Sequence, residues 1–79
     1  MNKDDLAKEA EFLFRHEILK YALTELRMES LERLATTQPD DMVRICGLQA
    51  QVTAIDELRE RLSSYIKGAE PAVIREGLA

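Results

Sequence analysis

Three places in this chain combine residue types that can do chemistry. His16-Glu17 opens like the helical zinc-protease pattern, in which two histidines four residues apart present ring nitrogens to one metal ion and the glutamate acts as general base. The second histidine is missing, because position 20 is Lys20. His16 therefore reads as a polar ring at the edge of an apolar seam, with a pH switch as the alternative role. Asp40-Asp41 pairs two carboxylates, yet it sits where a helix should start, and capping free backbone N–H groups is a sufficient explanation for it. Cys46 has no His or Asn at a spacing that would supply a base, and a buried free thiol of this kind packs as a small hydrophobe.

Other site chemistries lack their parts. A single cysteine excludes an intramolecular disulfide, and one Cys with one distant His falls short of a four-ligand zinc site. The chain has no Gly-rich phosphate loop, no repeated Cys pair and no basic stripe with interleaved aromatics. No catalytic residue, cofactor, metal or small-molecule substrate is expected. The net charge is −4, with 15 acidic against 11 basic residues, so the positive field that attracts phosphate backbones is absent and nucleic acid is not an expected partner. Residues 1–5 carry no apolar signal region, and no apolar run approaches the ~20 residues of a membrane span. A soluble protein made in a reducing cytoplasm, with no membrane partner, is the expectation.

The elements follow from where helix formers stop. Asn2 and Asp4-Asp5 suit a helix start, and up to Leu34 neither Gly nor Pro intervenes. This spacing predicts one helix over 4–34. In Thr37-Gln38-Pro39-Asp40, Thr37 can cap, Pro39 fits a first turn and Asp40 completes a capping box. A second helix is predicted over 39–67, closed by Gly68 in a left-handed conformation, with Pro71 preventing its resumption. Two helices of about 30 residues, each ~45 Å long, must fold back on each other through so short a turn. The expected fold is all-α: an antiparallel, coiled-coil-like helical hairpin over 1–68 with a tail over 69–79. Val73, Ile74 and Leu78 of that tail are apolar enough to dock.

Each helix carries two apolar stripes. Ile45, Leu48, Val52, Ile55, Leu62 and Ile66, with Arg59 as the polar member, repeat in steps of three and four as a coiled-coil seam. Phe12, Leu19, Leu23, Leu26 and Leu34, with His16 and Ser30 between, form the seam expected to face it. At 100° per residue, Ala10, Phe14, Ile18, Tyr21 and Met28 fall on the opposite side of helix 1. Val43, Gly47, Ala50, Ala54, Leu58 and Tyr65 lie on a displaced face of helix 2, where small residues admit a close neighbour. A two-helix hairpin has nothing to bury this second set against, so it is expected to be the interface for self-association or for another protein. A core of under roughly 80 residues also favours association as a supplement to stability. The charged residues Glu25, Glu29, Glu32, Arg33, Asp56, Glu57, Arg59, Glu60 and Arg61 are spaced for pairing along each helix on solvated faces.

Two resemblances bear on function. The segment Ala54-Ile55-Asp56-Glu57-Leu58-Arg59-Glu60-Arg61-Leu62 resembles the helical chorismate mutases, which implies three helices and inward-facing cations. Two helices with apolar seams meet neither requirement, so an enzyme is not expected. The mixed-charge first helix, then Leu34-Ala35-Thr36-Thr37-Gln38-Pro39-Asp40-Asp41 and Leu48-Gln49-Ala50-Gln51-Val52-Thr53-Ala54-Ile55-Asp56-Glu57-Leu58, resembles the small helical-hairpin proteins encoded among the structural genes of tailed bacteriophages. This resemblance implies a minor virion or assembly component that binds itself and larger structural subunits. The alternative is a soluble regulatory inhibitor or adaptor whose acidic surface engages a basic host protein.

Overall fold

The computed structural model describes residues 1–69, and over these the chain is all-helical. It comprises α1 (Lys3–Phe14), α2 (Glu17–Thr36), α3 (Met42–Ile66) and a closing 3₁₀ turn, Lys67–Ala69. Pro71 and the apolar tail residues Val73, Ile74 and Leu78 lie outside the described residues.

The expected single first helix is thus two helices, and the described residues form three α-helices rather than two. The break occupies Arg15 and His16, without Gly or Pro. Arg15 remains near helical, its N–H reaching the Glu11 carbonyl at 3.0 Å, while His16 turns to an extended conformation with φ −69° and ψ 118°. Helix bonding resumes only with the Lys20 N–H to the His16 carbonyl, 3.0 Å. The cause is tertiary. Arg27 beside Asp56 and Thr24 beside Arg59 set an antiparallel register that brings the start of α2 level with the end of α3. A helix continued straight from Glu17 back to Lys3 would overhang α3 by about 20 Å, with little among the described residues to bury against. Turning at His16 lays α1 on α3 and on the 3₁₀ turn instead, and α1 scarcely touches α2. α1 has the side chains for such a contact, since Leu6 and Ala7 are half-buried and Ala10 is only 3% exposed.

The α2–α3 pair is the hairpin. Leu48, Ile55 and Leu62 recur every seven residues and are buried, flanked by half-buried Ile45, Val52, Arg59 and Ile66. On α2 the half-buried Leu19, Leu23, Arg27 and Leu34 share a face with Ser30, which is 2% exposed and donates its hydroxyl to the Leu26 carbonyl at 2.9 Å. Phe12 and Leu26, expected on the seam, are both exposed. The break removes Phe12 from the α2 face, and α2 is rotated so that Arg27 rather than Leu26 turns toward α3. Among the described residues the buried apolar set is Ala10, Leu48, Ile55 and Leu62, a thin core even for a chain of this length.

The element ends are built by side chains. Asn2 caps α1, its Oδ1 accepting from the Asp5 N–H at 2.8 Å. Thr37 does not cap the following helix as expected. Its hydroxyl donates to the Arg33 carbonyl at 2.6 Å, at the end of α2. Pro39 occupies the second position of a β-turn closed by the Asp41 N–H to the Gln38 carbonyl, 3.0 Å. That turn delays α3, so Asp41 becomes its cap and accepts from the Arg44 N–H at 3.2 Å. Gly68 lies in the 3₁₀ turn without a positive φ. The left-handed closure expected there is replaced by a tighter turn that α1 packs against.

Candidate interaction surface

The outward face of α2 is a stripe of apolar side chains. Counting 100° per residue, Ile18, Tyr21 and Met28 lie opposite the seam of Leu19, Leu23, Ser30 and Leu34. They stand 69%, 67% and 58% exposed. Phe14, at the end of α1, is also exposed. On α3, Val43 is 87% exposed, and Gly47, Ala50, Ala54 and Leu58 are exposed along the same helix. A Cβ added at Gly47 would meet no atom within 4 Å.

Two residues of the expected interface lie elsewhere. Ala10 belongs to the buried set, because the turn at His16 folds its helix back onto α3. Tyr65 is half-buried near the end of α3, the part of the molecule where α1 and the 3₁₀ turn gather. Cys46, expected to pack, is instead exposed. It lies one position past the seam residue Ile45, on the side turned away from α2. His16 lies at the joint rather than on a seam. Its ring makes an edge contact with Phe12, centroids 5.7 Å apart, and offers no cap to α2.

Charge is arranged differently from the expected ladders along single helices. Arg27 of α2 grips Asp56 of α3 through two hydrogen bonds, Nε to Oδ1 at 2.8 Å and Nη2 to Oδ2 at 3.0 Å. Arg59 of α3 donates to the Thr24 hydroxyl at 2.8 Å. Along one helix, Arg15 pairs with Glu11 at 2.9 Å. Half of the signal for the cross-helix grip was present in the sequence: Asp56 follows the seam residue Ile55, and residues flanking a seam are the ones that meet across a coiled coil, whereas Arg27 takes the seam position expected of Leu26.

A cleft of about 480 Å³ lies where the three helices meet, and a two-helix fold would not have formed it. Leu13 and Phe14 contribute from α1, Leu19, Lys20, Leu23 and Thr24 from α2, and Asp56, Arg59, Glu60 and Leu62 from α3. Arg59 and Asp56 are committed to partners within the chain, which leaves Lys20 and Glu60 as the charged groups of opposite sign at its wall. Among the described residues, no three His, Cys, Asp or Glu side chains gather in a way that could hold a metal ion, and no helix is long and apolar enough to cross a membrane. Compared with known proteins, the chain matches no family model, no curated protein and no solved structure.

Proposed function

We propose that this chain is a non-enzymatic protein–protein interaction and assembly module, which binds copies of itself and larger structural subunits through the outward faces of α2 and α3. The observation that carries this is the stripe of Ile18, Tyr21 and Met28, more than half exposed on the side of α2 opposite its own core. Burying such side chains against a partner contributes roughly 1.5–3 kcal/mol each before the cost of association. The thin core gives the chain reason to gain stability from a neighbour. The resemblance of segments 34–41 and 48–58 to the helical-hairpin proteins of tailed bacteriophages, which this three-helix fold does not share as a whole, points to a minor virion or assembly component as the setting.

The test is the double variant Ile18→Asp, Tyr21→Asp. Charge on these exposed positions leaves the seam intact, so helicity by circular dichroism should stay near the wild-type level. Sedimentation mass should fall below that of the wild-type assembly, and copurification of structural subunits from the native source should be lost. A double variant that keeps both the wild-type mass and the wild-type partners would show that the α2 stripe is not the docking surface.

A further inference from the structure

We infer that the Arg15–His16 joint is a hinge through which two copies of this chain exchange their first helices, each α1 docking on the α3 of the other copy. Four observations converge on it. The joint holds no Gly or Pro, and Leu13-Phe14-Arg15-His16-Glu17-Ile18-Leu19 contains nothing that forbids a continuous helix. Only His16 departs from helical backbone there, with ψ 118°. The bend leaves the N-terminus of α2 without a side-chain cap, and the first bond into α2 is the one from Lys20. A straightened joint would give the N–H groups of Glu17, Ile18 and Leu19 the carbonyls of Leu13, Phe14 and Arg15 as partners. Finally, the 480 Å³ cleft lies directly beneath the joint, between Leu13 and Phe14 on one side and Leu19 and Leu23 on the other, so close packing does not lock the bend.

Straightening within one molecule is unfavourable because it carries α1 past the end of α3 and exposes Ala10. Between two molecules that loss disappears. The surface that receives α1 is the same on every copy, and what fills it is an identical α1, so every α1–α3 contact is recovered while each joint gains its helical bonds. Reciprocal exchange of one element between two identical chains is closed and two-fold, and stops at the dimer. The second copy is thus the occupant, and the argument holds whether or not the outward α2 stripe binds anything.

Glu17→Pro separates the two states. Glu17 is the first residue of α2, where proline is favoured, and the extended His16 before it has the conformation a preceding residue must adopt. The bent monomer accepts it; an unbroken helix does not, since the ring removes the bond to Leu13 and clashes with that carbonyl. Wild-type protein refolded at the highest attainable concentration should sediment partly as a dimer. Glu17→Pro should lower the dimer association constant by about a hundredfold or more, the penalty of proline inside a helix. In a Cys46→Ala background, spin labels at Lys8→Cys and Glu25→Cys, diluted with unlabelled protein, should report a span that lengthens in the dimer to about 25 Å, the reach of 17 unbroken helical residues. A wild type that is monomeric at every concentration, a dimer that survives Glu17→Pro, or a dimer that keeps the monomer's shorter span each overturns the exchange. The span measurement decides the matter even if the proline variant does not fold. A surviving dimer would be one paired through its outer faces, so the exchange can fail while the proposed interaction role stands.

Discussion

Arg27 and Asp56, near the middles of α2 and α3, are joined by a two-pronged grip of 2.8 and 3.0 Å that sets how the two helices register. The hydrogen bonds from Arg27 are the main cause that holds the Asp56 carboxyl below its ordinary value of 3.8; partial desolvation opposes them, and the charges of Arg27 and Arg59 add to them. The Arg27 guanidinium is pushed upward by the same bond. A carboxyl whose folded value is depressed contributes stability that is fully present above its unfolded value and is lost as pH falls through the folded one. Asp56→Asn should therefore melt below wild type at pH 7. The gap should close as thermal scans by circular dichroism are taken down through pH 4 toward pH 2. The pair is well exposed, so the gap should be small and shrink further in high salt.

Ile55 is the middle member of the buried heptad set, 5% exposed. Ile55→Ala should destabilise the fold by about 2–5 kcal/mol in urea titration, the range for truncating a buried aliphatic side chain. Leu58→Ala, one turn along on the open side of α3, should stay within about 0.5 kcal/mol. Equal effects at the two positions would mean that the seam is wrongly placed.

The two aspartate and asparagine caps should differ in reach rather than in size. Each removes one free N–H from the solvent-facing end of its helix, worth about 1 kcal/mol. α3 supports both other helices, so Asp41→Ala should lower global stability. Asn2→Ala should speed amide hydrogen exchange in α1 while exchange in α2 and α3 keeps its wild-type rate.

Gly47 lies inside α3 with open space where a Cβ would be. Gly47→Ala should raise stability by roughly 0.5–1 kcal/mol through the lower backbone entropy cost of alanine. If the same variant weakens self-association or partner binding, a neighbouring backbone must approach α3 at that position; unchanged binding would place the contact elsewhere.

The α3 seam was legible residue by residue from Ile45 to Ile66, because a heptad repeat of apolar side chains has one geometric solution along an α-helix. The Asn2 cap was legible for a similar reason, since its chemistry is local to three or four residues; a break near Pro39 was legible too, but Pro39 was expected inside the first turn of the helix and lies instead in the β-turn before Met42. Asp41 took the capping role expected of Thr37, because both can cap and only the length of the turn decides which one faces the free N–H groups.

The break at His16 could not be read locally. No residue there opposes a helix, so the chain alone favours continuity from Lys3 to Thr36. What decides against it is the point at which α3 ends: beyond Ile66 a straight helix would find, among the described residues, only the short 3₁₀ turn to cover. The same relationship buries Ala10, opens the three-helix cleft and moves Phe12 off the seam. The backbone pattern of a helix is set by neighbours within four residues, whereas the choice to bend depends on a packing surface some fifty residues away along the chain, and only the folded molecule brings the two together.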